Sequence, residues 1–219
     1  IEGRCELVAH YLDYFAKEPI TDDSLKNTPD DEFNDLKFQT AQWLKQISPE
    51  IDIHITPGET SYKIDYSFSR GAGKTPTEKF KAYNVGFGVS YALPIVVASL
   101  HSAKDSLVIV ENPEAHLHPE GIANLMKLIS KAANAGVQFI IETHSDHVIN
   151  GMLVAVKKGL IPHNNVKVYH FARNKEMHRT TTTQLEVLKG GKIRKPPKGF
   201  FDRMDKDLNI LTDMDKDHE

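Results

Sequence analysis

The sequence predicts an α/β fold built on a parallel sheet, and three features predict it. Two short apolar runs, from Ser106 to Val110 and from Val137 to Ile141, are rich in β-branched residues and bounded by polar or turn residues. Such runs fit strands of a parallel sheet buried on both faces. Between them lies a helical pattern. Pro119 stands where a helix starts, Ile122, Leu125, Met126, Ile129 and Ala133 recur at helical spacing, and Gly136 marks the stop. Strand, helix and strand make a βαβ unit, whose crossover is right-handed and whose strands run parallel. The polar segments that end the two strands, Glu111-Asn112-Pro113-Glu114 and Glu142-Thr143-His144, therefore fall side by side. In open α/β sheets that carboxyl edge is where ligands bind.

The other elements follow in order. Glu6 to Ala16 is expected to be a helix with Leu7, Tyr11, Leu12 and Phe15 on one face, and Lys17 to Asp31 a surface loop. A second helix, roughly Asp31 to Ile47, carries Phe33, Leu36, Phe38, Ala41, Trp43 and Leu44; Trp43 reads as a packing anchor rather than a partner surface. Alternation over Ile51–Ile55 and Tyr62–Phe68 predicts an antiparallel hairpin across Pro57-Gly58. Tyr91 to Leu100 reads as a buried helix interrupted by Pro94. Ser145 caps a helix whose buried face is Val148, Ile149, Met152, Leu153 and Val156, with Gly159 as its stop. Val166–Arg173 and Glu176–Leu188 form a hairpin across Asn174-Lys175, with Thr180–Thr183 on a solvated surface. Lys189–Lys198 is a basic loop, read as solvated rather than as a nucleic-acid contact, and Phe200–Leu211 is a final helix with Phe200, Phe201, Met204, Leu208 and Leu211 turned inward. The acidic tail from Asp213 is expected to fray.

Composition sets outer bounds. At 219 residues and a formal charge of -3, the chain suits one good core or two small ones and is no general polyanion-coating protein. A single cysteine, Cys5, permits no internal disulfide and fits a reducing cytoplasm; no apolar run is long enough for a membrane span. Ile1–Arg4 has the form of an engineered protease site as well as of natural interior sequence, and the chain reads as the later part of something longer.

Two glycine-rich segments bear on phosphate binding. Phe68-Ser69-Arg70-Gly71-Ala72-Gly73-Lys74-Thr75 ends like a P-loop, but Phe68 occupies the first glycine position and Pro76 follows where a capping helix should begin. It reads as a hairpin turn, and no other G-x-x-x-x-G-K-[ST] occurs. Asn84-Val85-Gly86-Phe87-Gly88-Val89-Ser90 is different. Alone it reads as a tight turn before a core helix, yet its glycines also let backbone N–H groups approach a phosphate at a helix N-terminus.

Taken together, these residues resemble a known family. Four apolar residues ending in Glu111, then Pro113-Glu114 and the His116-x-His118-Pro119 loop, resemble the Walker B and D-loop segment of ABC-type ATPases, in the branch of the overcoming-lysogenization-defect proteins and the SMC-like recombination ATPases. Glu142-Thr143-His144 resembles that family's switch histidine, and Asn84–Ser90 a divergent signature motif. Phe200-Phe201-Asp202 is similar to a C-terminal extension of a prokaryotic group of these ATPases.

The resemblance implies the C-terminal lobe of a P-loop NTPase-like ABC ATPase head, a mostly parallel sheet flanked by helices with small antiparallel hairpins. On this reading residues 1–83 are a helical and hairpin part of the head, 84–160 hold signature, Walker B, D-loop and switch, and 161–219 form an extension. ATP and Mg²⁺ are the implied cofactors. Glu111 would hold the metal, Asn112 would sit where most relatives place the water-polarising glutamate, and Glu114 would substitute for it or leave hydrolysis slow. His144 would contact the γ-phosphate, a buried structural histidine being the plainer alternative. Asn84, Gly86, Gly88, Ser90 and His116 would serve nucleotide held by the other head of a homodimer. A Walker A segment or chain would come from elsewhere, and a nuclease or other effector and DNA are the implied partners, in DNA repair or anti-phage defence. Two rivals stand beside this: a silent scaffold for an effector, and a metal-dependent hydrolase using His116, His118, His144, His147, Glu114 and Glu142.

Overall fold

A computed structural model describes residues 7–59, 61–69, 75–174, 178–197, 199–201 and 203–212. The chain forms two compact units, Ile1–Ile161 and Pro162–Glu219.

In the first unit, helices α1 (Val8–Tyr14) and α2 (Leu36–Ile47) precede the antiparallel strands β1 (Ile51–Pro57), β2 (Tyr62–Phe68) and β3 (Phe80–Lys81). Helix α3 (Phe87–His101) leads into β4 (Leu107–Glu111), α4 (Pro119–Asn134), β5 (Gln138–Glu142) and α5 (Asp146–Lys157). Strands β4 and β5 pair in parallel with Leu107 opposite Gln138 and Glu111 opposite Glu142, so the expected βαβ unit is present, each strand one residue later than its apolar run. The hairpin across Pro57-Gly58 also forms, with Ile55 opposite Ile64.

The core lies among α2, α3 and α4. Trp43 is fully buried in one cluster with Leu44, Leu93, Leu100, Leu125 and Leu128, and its Nε1–H donates to the Leu25 carbonyl at 2.8 Å. Burying the indole while satisfying its one polar atom makes it the anchor the sequence suggested. Lys127 and Lys131 each hold an ammonium 5.5 Å from its ring centroid. Burial, followed by the charge of Lys127, lowers the Lys131 pKa.

Several local expectations are corrected. Helix α2 starts at Leu36, not Asp31, because Asp35 caps it by accepting the Phe38 N–H; Phe33 lies ahead of it and is exposed. Leu7 is exposed, and Ala9 joins Leu12 in the core. The loop from Lys17 to Asp31 is no mere surface loop, since Ile20 and Leu25 are buried. Pro94 does not interrupt α3, which continues to His101 among buried Leu93, Val96 and Val97; packing on that scale outweighs the lost N–H.

The largest correction concerns β4 and β5. They were expected to be buried on both faces, but Leu107, Ile109 and Ile140 are 53%, 66% and 51% exposed. Helices cover one face of this two-stranded sheet, with Val110 buried and Phe139 and Ile141 packed against the core; the other face is bare.

In the second unit, β6 (Val168–Asn174) pairs antiparallel with β7 (Arg179–Leu185). The basic stretch after Leu188 is not all loop: β8 (Val187–Leu188) and β9 (Lys192–Ile193) form a small hairpin. Thr180–Thr183 are exposed as expected. Helix α6 (Arg203–Leu211) leaves Leu208 and Leu211 exposed rather than inward, while Phe200 packs edge-on against His170. The expectations for residues 70–74, Met204 and the acidic tail fall outside the described residues or side chains. Among the described residues no helix is long and apolar enough to cross a membrane.

Candidate functional site

Parallel pairing delivers Glu111 and Glu142 side by side at the carboxyl ends of β4 and β5, both exposed. The pairing reaches one residue further: the Asn112 N–H donates to the Glu142 carbonyl at 3.0 Å. Asn112 takes a φ of 47°, in the left-handed region that asparagine tolerates better than most residues. The chain thereby turns sharply off the sheet into the loop 112–118.

That loop is fastened to the segment after β5 by one carboxylate. Glu114 Oε1 accepts from Thr143 Oγ1 at 2.8 Å and from the His144 N–H at 3.1 Å. Thr143 Oγ1 in turn accepts the Ser145 N–H at 3.0 Å, and Ser145 Oγ caps α5 by accepting the His147 N–H. Hydrogen bonds to a charged acceptor are the stronger kind, so Glu114 is the fixed point around which 143–145 is folded. Its second oxygen, Oε2, is buried with no partner among the described atoms.

His144 itself points outward. Its side chain is 86% exposed and its Nε2 lies 3.1 Å from Glu142 Oε1, which rules out the buried structural histidine. Glu111, Glu142 and His144 thus share one rim of the sheet. Of these three, sequence reasoning gave Glu142 no role in the ATPase reading; the register of two parallel strands is the signal that would have found it.

A second group meets the same loop at His116 and Leu117. Gly86 precedes α3 with φ 89° and ψ 146°, a region nearly confined to glycine, and a Cβ there would meet open space. Gly88 is needed for room: a Cβ would stand 2.4 Å from the His116 carbonyl oxygen and 3.0 Å from Leu117 Cδ2. The Phe87 and Tyr91 rings each lie 5.7 Å from the His116 ring. Ser90 is half-buried, with its Oγ 3.5 Å from the hydroxyl of Tyr66; burial raises the Tyr66 pKa against the lowering effect of that contact. Asn84 stands in the exposed turn 82–84, ahead of this group.

The fold therefore joins Glu114 to His144 beside Glu111, Asn112 and Glu142, and sets Gly88 with Phe87 and Tyr91 against His116, while Ser90 faces Tyr66 and Gly86 stands at the open start of α3. Among the described residues no group of three or more His, Cys, Asp or Glu side chains is placed to hold a metal ion, so the histidine–carboxylate cluster of the hydrolase reading does not assemble. A pair of adjacent carboxylates such as Glu111 and Glu142 fits a hard cation that takes its remaining oxygens from phosphate and water.

The fold is similar to that of an SMC-type head, and the sequence carries a domain of the AAA class. The chain belongs to the AAA domain family described as a putative AbiEii toxin of type IV toxin–antitoxin systems, whose model matches residues 14–150. Residues 161–211 match a family described as a protein of unknown function, DUF3696.

Among solved structures, the chain is similar to an SmcHead bound to the C-winged helix domain of ScpA, with 12% identity, a TM-score of 0.50, and 84% of this chain and 54% of that one covered. The Smc head with an extended coiled coil bound to the C-terminal domain of ScpA, from Pyrococcus furiosus, gives 14% identity and a TM-score of 0.46 over 82% and 37%. A chain described under ATP-driven dimerization and DNA-stimulated activation of SMC ATPases gives 12% identity and a TM-score of 0.49 over 97% and 99%. These likenesses speak to fold alone. Among curated proteins none matches the chain.

Proposed function

We propose that this chain supplies the Walker B-like, signature-like and switch-histidine elements of an ABC-type ATPase whose P-loop lies outside these 219 residues. The observation that carries this reading is the rim itself: Glu111 and Glu142 in register, with His144 against Glu142. A bare apolar sheet face supports it further, because parallel sheets are covered on both faces in finished α/β domains. Residues 84–160 act as the catalytic half of the head and 161–219 as an extension.

Glu111, aided by Glu142, would hold Mg²⁺, which would supply charge neutralisation on the phosphates. Asn112 orients water through its amide and cannot accept a proton. Glu114, whose Oε1 accepts from Thr143 and from the His144 N–H, positions the His144 backbone, and its Oε2, unpartnered among the described atoms, remains for a base's role. His144, exposed and held against Glu142, would reach the terminal phosphate. Gly86, Gly88, Ser90, Asn84 and His116 face nucleotide bound by a second head, which makes a head-to-head homodimer the working unit. DNA repair or anti-phage defence alongside a nuclease is the corresponding setting.

The test is ATP binding to the purified chain with a fluorescent analogue. Without a P-loop the chain binds no more tightly than several millimolar; a dissociation constant of about 1 mM or below overturns the division of labour. Asn112, which lacks a base's chemistry, favours a second reading, a silent scaffold for an effector. It predicts that a P-loop-bearing complement restores binding without turnover, and that Glu111→Gln changes no rate.

A further inference from the structure

The second unit has a feature that no role in ATP turnover uses. Between Pro162 and Phe201 the sequence holds nine of the chain's 27 Lys and Arg but only two of its 30 acids. A chain that is acidic in sum thus concentrates positive charge on one short stretch. The stretch folds as the β6–β7 ribbon and the small β8–β9 hairpin.

The ribbon has two unlike faces. Val168 is buried on one, and His170 is half-buried there against the Phe200 ring. On the other, strand alternation would call for polar residues. Instead the alternate positions read Lys167, Tyr169, Phe171 and Arg173, all exposed, with the two rings at 53% and 66%. Opposite the rings in β7 stand Gln184 and Thr182, an amide and a hydroxyl. Two aromatic rings about 7 Å apart along a strand, bracketed by cations and faced by hydrogen-bonding side chains, match what unpaired bases and their phosphates require. Bases stack on exposed rings without sequence preference while Lys and Arg track the backbone. A duplex offers no free base faces to such a surface.

We propose that the outward face of the β6–β7 ribbon is a binding platform for single-stranded nucleic acid. Tyr169 and Phe171 stack two successive bases, and Lys167 and Arg173 contact the flanking phosphates. Lys189, Lys192 and Lys195, all exposed, add to the attraction that brings the strand in.

The test uses the full chain and fluorescence anisotropy with a labelled oligo(dT) about 12 nucleotides long, a length within the range of single-strand site sizes. The expected result is salt-dependent binding that exceeds binding to a duplex of equal length. Tyr169→Ala with Phe171→Ala weakens oligo(dT) binding about tenfold or more while duplex binding is unmoved. Lys167→Gln with Arg173→Gln instead flattens the salt dependence, by roughly 0.7 in log–log slope per phosphate contact removed. Should the double alanine variant lose its circular dichroism signal, Phe171→Trp keeps a ring, and its fluorescence is quenched on adding oligo(dT). Four outcomes overturn the proposal: no binding at low salt, equal binding of the aromatic variant, tighter binding to duplex, or no quenching. Ring-dependent binding to vesicles of anionic lipid with none to oligo(dT) also overturns it and makes the face a membrane contact.

Discussion

Thr143→Val tests the carboxylate bracket directly. Valine matches threonine in shape but has no hydroxyl, so it removes the 2.8 Å bond to Glu114 and the 3.0 Å bond from the Ser145 N–H together. A hydrogen bond to a charged acceptor contributes about 1.5–3 kcal/mol and a neutral one about 1 kcal/mol. Partial exposure and the added methyl group recover some of this, which leaves an expected loss of about 2–3 kcal/mol. Thr143→Ser keeps the hydroxyl and stays within about 1 kcal/mol of the parent. The assay is urea unfolding followed by fluorescence of Trp43, the chain's one tryptophan, which sits fully buried in the same unit. If valine is tolerated as well as serine, or if Thr143→Val and Glu114→Ala add without coupling, Glu114 does not organise the segment and the bracket argument fails.

Three more expectations rest on the geometry. Gly88→Ala gains up to about 1 kcal/mol of helix propensity but forces a Cβ into the His116 carbonyl; crowding of about 1–3 kcal/mol makes the net change destabilising in urea melts, and a more stable variant refutes the close approach. Burial raises the Asp52 pKa, but hydrogen bonds from Lys45 and Ser69 and the Lys45 charge outweigh it, so the folded value is lowered. The stability it adds is present above the unfolded value near pH 4 and is lost as pH falls through the lower folded value, so Asp52→Asn is less stable at pH 7 and declines less steeply towards pH 2 in urea midpoints. Ile109→Lys, at a position 66% exposed, changes the isolated chain by less than about 0.5 kcal/mol yet abolishes pairing with a P-loop-bearing complement in co-purification.

How much was legible in the sequence depended on range. The βαβ unit was readable because Ile122, Leu125, Met126 and Ile129 fall on one helical face between two apolar runs, a local pattern that the core at Leu125 and Leu128 then uses. The rim followed, since parallel strands end together whatever surrounds them. What covers a strand was not legible: Ile109 and Val110 look alike in sequence, but only Val110 is buried. The same holds for Leu208 and Leu211, apolar yet outward. Glu114, two residues from Asn112, reads in sequence as a spare base, and its bonds to Thr143 and His144 add a positioning role that no local pattern announces. Only the through-space approach of Thr143 shows it engaged. The close approach of Gly88 to the His116 carbonyl is likewise a through-space requirement that the sequence does not announce.

The loop 112–118 has one further consequence. Glu114 grips the segment leading to α5, and His116, two residues on with a φ of 61°, is wedged against α3. The loop therefore touches α3 at His116 and the switch segment at Glu114, two residues apart. Coupling between two binding events is reciprocal by thermodynamic necessity. If a ligand against Phe87 and Tyr91 and a ligand on His144 are coupled through this loop, each changes the other's affinity by the same factor.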